Sequence, residues 1–340
     1  MSFWRRAGIR WSLRLLAMVL VAGLAGGAAT LAWKYHNRPG MAAVEAHRYA
    51  SPPAGARSLH ATWFGTTALL LSDGDHSLFV DPFFTRPAGW LPLILNGRIA
   101  PDENLIERSL RNAGVRNLDA VLVSHSHFDH AMDAAVVARM TGATLVGSAS
   151  TANIGRGGGV PESHIWTVSN SEPLAFGPFS VHFIPSRHAG ATGGRPTGEI
   201  GEPMVPPARY LDYRQGGTYS LLIEHPLGTV LVHGSAGFIP GILKDYRAEV
   251  VFLGIALIDD LPVYLQEVVN VVEPRRVIPV HWDDFTRPLS EPLRPSFVGV
   301  DLPAFFDGMK TLEPRLQVLT LKPGEPVVLF VDQGAADAKP

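Results

Sequence analysis

Three histidines and an aspartate fall within six positions of the stretch VLVSHSHFDHAMD, Val121 to Asp133, directly behind an apolar run. Imidazoles and carboxylates are costly to bury without partners, so this cluster constrains the fold more than any other feature. The run before it, Asp119 to Ser124, is continuous enough for a strand covered on both faces, and Ala131 to Met140 reads as a helix. A strand, a ligand-rich turn and a helix is how open α/β folds build sites at strand C-termini. His125 and His127 are two apart and share one side of an extended segment. Asp129 and His130 turn with the chain and face a second position. A lone histidine is more often a core residue, but this grouping points to a metal. The chain contains no cysteine, which excludes disulfides, thiolate zinc sites and a cysteine nucleophile. Nitrogen and oxygen ligands suit Zn²⁺, with Fe or Mn as the alternatives.

The N-terminus has a different character. Arg5, Arg6, Arg10 and Arg14 precede an uncharged run from Leu15 to Trp33, which as a helix spans roughly 28 Å, close to a bilayer's hydrocarbon core. Only Lys34 and Arg38 follow closely, so the charge bias places the N-terminus in the cytoplasm. Residues 1–36 therefore read as a single-pass anchor in the inner membrane, with the remainder on the periplasmic side. The rival reading is a cleaved signal peptide, because Ala25 to Thr30 are all small, and the product is then secreted to the periplasm. Residues 37–57, with several Pro, Gly and Ala, read as a linker, and 58–334 as the functional domain. A formal net charge of −2 over 340 residues offers no basic stripe for nucleic acid.

Beyond the linker, strand-type runs recur. Leu59–Phe64, Thr67–Ser72 and Ser77–Asp81 form a meander joined by tight turns. FSVHFIPS, TYSLLIEH, TVLVHG, EVVFLG, RRVIPVH, LQVLTL and PVVLFV continue the pattern, with a helical segment over Val263–Glu273. Strands that first meander and then alternate with helices predict an α/β domain of two sheets face to face with helices outside. No internal repeat stands out.

HSHFDH matches the His-x-His-x-Asp-His signature of the metallo-β-lactamase-fold hydrolases, and the resemblance extends from about His60 to about Arg287. ATWFGTTALLLSDGDHSLFVDPFF resembles that superfamily's opening meander. The resemblance implies a four-layer αββα sandwich of the metallo-β-lactamase type. It implies metal ligation by His125, His127 and His188 at one position and by Asp129, His130 and His281 at a second. Asp81 matches the family's aspartate behind the metal histidines, a support that fixes imidazole orientation. Ser235, in VHGSAGF, stands where family members carry a bridging aspartate, so the chain holds either two ions without a carboxylate bridge or one. His233, two residues earlier, reads as a strand residue. The remaining seven histidines match no motif. Within the superfamily the pattern is similar to the branch of N-acyl-phosphatidylethanolamine-hydrolysing phospholipase D and ascorbate-6-phosphate lactonase.

The implied activity is hydrolysis by a metal-bound hydroxide on a phosphodiester or ester, in small-molecule or lipid form, with Asp129 as ligand and as the group that orients the nucleophilic water. The alternative is a non-catalytic metal- or lipid-binding envelope protein with a degenerate site. Trp90, Leu91, Leu93, Ile94 and Leu95 crowd the segment Arg86 to Pro101; it is either a core piece or short helix, or an exposed loop that grips an acyl chain or rests on a membrane. Arg187 and Arg195, on the Gly- and Pro-rich stretch around His188, are either phosphate contacts or solvated charges. The sequence leaves the oligomeric state open.

Overall fold

Apolar side chains alternate along these strands between two different cores, which is why the runs look continuous. The computed structural model describes residues 2–87, 89–168, 172–190 and 195–332. Its first sheet holds β1 (Ser58–Trp63), β2 (Leu69–Ser72), β3 (Ser77–Val80), β5 (Ala120–Leu122), β6 (Thr144–Gly147), β7 (Ile165–Thr167) and β16 (Pro326–Val331), in the order β16-β1-β2-β3-β5-β6-β7. The second holds β8 (Leu174–Phe176), β9 (Phe179–Pro185), β11 (Tyr219–His225), β12 (Gly228–His233), β13 (Val250–Gly254), β14 (Arg276–Val280) and β15 (Gln317–Val318), in the order β15-β14-β13-β12-β11-β9-β8. A short ribbon pairs β4 (Arg98–Ile99) with β10 (Ala208–Arg209). Each large sheet has three antiparallel pairings followed by three parallel ones, a likeness of halves that no sequence repeat announces.

Leu78, Val80, Ala120 and Leu122 point into the layer between the sheets, while Phe79, Val121 and Val123 point outward. The outward residues meet α4 (Glu103–Asn112), α6 (Ala134–Thr141) and α7 (Ala149–Gly157) through Ile106, Leu110, Val137 and Ile154. α8 (Leu261–Tyr264) and α9 (Leu302–Leu312) pack against the second sheet through Tyr264, Phe305 and Met309. The result is the expected four-layer αββα sandwich. It follows an N-terminal helix, α1 (Ser2–His36), whose segment Leu13–His36 is long and apolar enough to cross a membrane and has none of its apolar window buried.

Several elements differ from expectation. The helix expected over Ala131–Met140 comes as a single turn, α5 (Phe128–Ala131), followed by α6. The segment from Val263 continues α8 as a π-helical turn, Leu265–Val269, and a 3-10 turn, Asn270–Val272. LQVLTL contributes only Gln317 and Val318 to its sheet, because Thr320 pairs elsewhere: Tyr49 donates its N–H to the Thr320 carbonyl at 2.9 Å, and Thr320 N donates to His47 O at 2.8 Å. The stretch read as a linker, 37–57, is thereby attached to the domain. Its short helix α2 (Ala42–Ala46) buries Val44 completely, and Tyr49 donates its hydroxyl to Val328 O at 2.8 Å. The expected domain end at 334 lies outside the described residues.

Strand directions decide where chemistry can happen. β1, β3 and β5 run the same way in one sheet, and β9, β12 and β14 do so in the other. The turns after them carry Thr66, Asp81, His125, His188, Ser235 and His281, so one edge of the sandwich collects every residue of the implied site.

Val44→Ala removes buried apolar volume from a core to which a true linker would not belong. It is expected to cost about 2 kcal/mol, read as a lower urea midpoint; an unchanged midpoint would return residues 37–57 to linker status.

Candidate metal centre

The side chains of HSHFDH converge because β5 stops at Leu122 and the chain turns over into α5. His125, His127 and His188 form one group whose candidate ligand atoms lie within 4.8 Å of one another, and Asp129, His130 and His281 form a second. The groups touch: the rings of His125 and His130 are 3.9 Å apart between centroids, and those of His130 and His281 are 5.3 Å apart. Both bring together residues separated by scores of positions in the chain.

Ring orientation is fixed from behind. His130 Nδ1 lies 2.8 Å from Asp81 Oδ2, an acceptor, so it carries the proton and Nε2 keeps the lone pair. His127 Nε2 lies 3.3 Å from the Pro196 carbonyl and donates to it, which puts the lone pair on Nδ1. His188 Nδ1 faces the Ala189 carbonyl at 3.4 Å, which assigns Nε2. His125 Nδ1 lies 3.3 Å from Ser124 Oγ, and its Nε2 is buried with no hydrogen-bond partner. A buried, unpartnered imidazole nitrogen aimed among other ligands is what a metal completes. Burial, reinforced by the neighbouring imidazoles, holds His125 well below the ordinary histidine range and His188 down at about 3. Both rings are thus neutral, as ligation requires. Burial opposes the charge on Asp129, but His130 and His281 outweigh it and hold the carboxyl well below its usual range. Its Oδ2 stands 3.1 Å from His281 Nε2 and 3.8 Å from His130 Nε2.

Asp81 takes four hydrogen bonds. Ser124 N donates to Oδ1 at 2.7 Å, while Ser124 Oγ at 2.6 Å, Thr67 Oγ1 at 2.9 Å and His130 Nδ1 donate to Oδ2. Ser235 follows β12 and lines the same cavity as His127, Asp129, His188 and His281. Its hydroxyl accepts from Ala189 N at 3.0 Å and so holds the turn that carries His188. His233 lies on β12 with Nδ1 2.7 Å from Ser220 Oγ and belongs to neither group.

Further participants act through tertiary contacts. Arg86 Nη2 pairs with Asp283 Oδ2 at 2.7 Å, both fully buried, and Asp283 Oδ1 accepts from Thr66 N at 2.7 Å. That network requires Gly65, with φ +92°, because a Cβ there would lie 2.0 Å from Arg86 Nη2. Thr66 O in turn accepts from His281 N at 2.8 Å, so the network sets the backbone of a candidate ligand. Asp133, the last residue of the motif, accepts from Phe84 N and Thr85 N at 2.7 Å each and fastens the turn after Asp81 to α6. Four of the candidate ligands, His127, Asp129, His188 and His281, line a cavity of about 220 Å³ together with Trp90, Tyr210 and Phe285 among others. Arg195 stands at its wall and Arg187 does not.

Two measurements test this frame. Asp81→Asn removes the charge behind His130 and is expected to weaken metal retention about 10- to 100-fold, as measured by chelator competition. Burial raises Asp133 to about 7. The folded chain therefore keeps a proton that the unfolded chain releases near pH 4, so this group's stabilisation is complete below about pH 4 and is lost as pH rises through about 7. Asp133→Asn is expected to flatten that fall in urea denaturation at pH 5 against pH 8.

A family model described as a beta-lactamase superfamily domain matches residues 76–282. A "UPF0173 metal-dependent hydrolase" of Pyrobaculum islandicum is 24% identical over 270 residues, covering 77% of this chain and 96% of the relative. Another of the same description, from Myxococcus xanthus, is 25% identical over 279 residues, 80% of this chain and 86% of the relative. Among solved structures, Igni18, a metallo hydrolase from Ignicoccus hospitalis, superposes with a TM-score of 0.53 at 17% identity, covering 81% of this chain and 100% of that one. With that match across most of the domain and two groups of histidine and aspartate at the edge where the sheets' parallel strands end, the chain belongs to the beta-lactamase superfamily, as a metal-dependent hydrolase of the metallo-β-lactamase fold.

Proposed function

We propose that this chain hydrolyses an ester or phosphodiester of an amphiphilic, lipid-like molecule, as a single-pass inner-membrane protein whose catalytic domain lies on the periplasmic side. The observation that carries the reading is the convergence of both ligand groups on one cavity whose other walls are largely apolar: Trp90, Phe128, Phe285, Val298 and Val300. Zn²⁺, or Fe or Mn in its place, would supply a water of lowered pKa and polarise the substrate's scissile oxygen. His125, His127 and His188 are placed to hold one ion, and Asp129, His130 and His281 a second.

The chain's own residues do the rest. Asp129 belongs to the second group, a carboxylate kept ionised by its imidazole neighbours, and orients the attacking water by accepting its hydrogen bond. Tyr210 keeps its proton, because burial and then the Asp129 charge raise its phenol above the ordinary range. Its O–H is therefore available to a substrate oxygen within the cavity. Arg195 offers a cation to an anionic group at the same wall. The anchored topology is supported by the four arginines ahead of the apolar run and by the exposure of that run along α1.

Metal content per chain and turnover on soluble ester and phosphodiester probes are the direct test. Both triads are formed without an aspartate at 235, so two ions per chain are expected, with turnover lost on chelation and restored by Zn²⁺. Asp129→Asn is expected to lower turnover about 10²- to 10⁴-fold. One ion per chain, rising to two in Ser235→Asp, would instead establish a mononuclear centre. No metal after reconstitution would leave the binding-protein reading in its place.

A further inference from the structure

The apolar segment before β4 is neither core nor loop throughout. α3 (Leu91–Ile94) buries Leu93 but leaves Leu91 64%, Ile94 73% and the following Leu95 69% exposed. Large aliphatic side chains grouped in this way on a surface mark a contact with another phase or partner. What lies beside them identifies which. Trp90, immediately before α3, lines the metal cavity and packs on Phe285 and Phe297, with ring centroids 5.5 Å away in each case. Phe297 packs on Tyr35, in the last turn of α1, at 5.4 Å. The Arg38 guanidinium lies 4.2 Å above the Tyr35 ring and pairs with Asp284 at 3.0 Å, with both side chains almost completely buried. Cavity wall, exposed apolar turn and the end of α1 are therefore joined by direct contacts.

We propose that the turn from Leu91 to Leu95 seats in the headgroup region of the same bilayer that α1 crosses, so that the metal cavity opens onto the lipid surface and receives a substrate whose scissile bond lies at headgroup depth. The proposal rests on the anchored reading of α1. Trp33 and Tyr35, both exposed, suit the membrane–water boundary at that end of the helix. The buried Arg38–Asp284 pair keeps the domain from swinging away from its helix, so the boundary passes beside α3. Interfacial apolar residues of this kind sink about 5–10 Å into the headgroup and acyl boundary. The cavity wall also continues toward α1. A second cavity, about 690 Å³, lies between the end of α1 and the domain, and Leu257, Ser296 and Val300 line both cavities.

Because the chain has no cysteine, a single introduced one labels uniquely. Ile94→Cys, with Glu107→Cys on exposed α4 and Val21→Cys within α1 as references, would each be prepared in the full chain. Each would carry a nitroxide and be reconstituted in phosphatidylethanolamine–phosphatidylglycerol vesicles. The readout is the ratio of collisions with lipid-soluble oxygen to those with a water-soluble nickel chelate. The expected result is a ratio at 94 several-fold above that at 107 and approaching that at 21. A lipid-like ratio at 21 with a water-like ratio at 94 would overturn the docking while the anchor stands. Water-like ratios at both would overturn the anchored reading, and the docking with it.

Discussion

The Asp81 carboxylate ties together three strand ends and one metal-facing ring. Its partners come from the turn after β1, from the end of β5 and from α5, so the parallel edge of the first sheet is held in register at the point where the ligands emerge. The residue adopts φ +46°, a conformation that side chains other than glycine rarely take. Thr66 and His281 share that rarity, at +47° and +57°. Left-handed backbone thus gathers at the residues that aim the ligands, as strain does where surrounding structure over-determines it. The surrounding structure here is the chain of bonds from Arg86 through Asp283 and Thr66 to His281, which crosses from one sheet to the other. A fully buried ion pair adds little net stability, but removing either partner leaves an uncompensated charge, so the arrangement resists drift by substitution.

Much of this was legible in the residues, and the limits of legibility are physical. HSHFDH is local, and its density alone separated it from ordinary histidines. His188 and His281 lie far along the chain, and nothing around them distinguishes them from His182 or His225 except the family pattern. His182 pairs with Glu224 and His225 with Asp73 at the surface and edge of the second sheet, outcomes that depend on strand pairing rather than on neighbouring sequence. Arg86, Asp283, Thr67 and Tyr210 acquire their roles only through tertiary contact. Ser235 was singled out from its place in VHGSAGF, but its bond to Ala189 N could not be read from composition. α4 did carry its own signals, with Asp102 accepting from Leu105 N as a cap and Ile106 and Leu110 four apart on the buried face. The attachment of residues 41–51 had none, since a Pro- and Ala-rich stretch looks the same whether it hangs free or lies in a groove.

The two cores are unequal in what they support. The layer between the sheets is continuous from Leu59 to Phe330 and includes the second sheet's helices, whereas the outer layer of the first sheet carries α4, α6 and α7 and closes beneath the ligand turn at Phe83 and Phe128. The rings of those two phenylalanines meet edge to face at 5.8 Å, and Phe128 immediately precedes Asp129 and His130 in the chain. Rigid apolar packing under a polar rim is how a site keeps its geometry.

Arg38 gives the molecule one more property. A domain on a flexible leash reorients freely, and each productive encounter must recover that rotational freedom. Here the base of α1 is held by the pairing of Arg38 with Asp284, three residues along the chain from His281, and by the edge-to-face contact of Tyr35 with Phe297. With α1 set in a membrane, as proposed above, the helix would act as a mast rather than a tether. The candidate site would keep one bearing relative to α1, and search would be reduced from three rotational degrees of freedom to spin about a single axis.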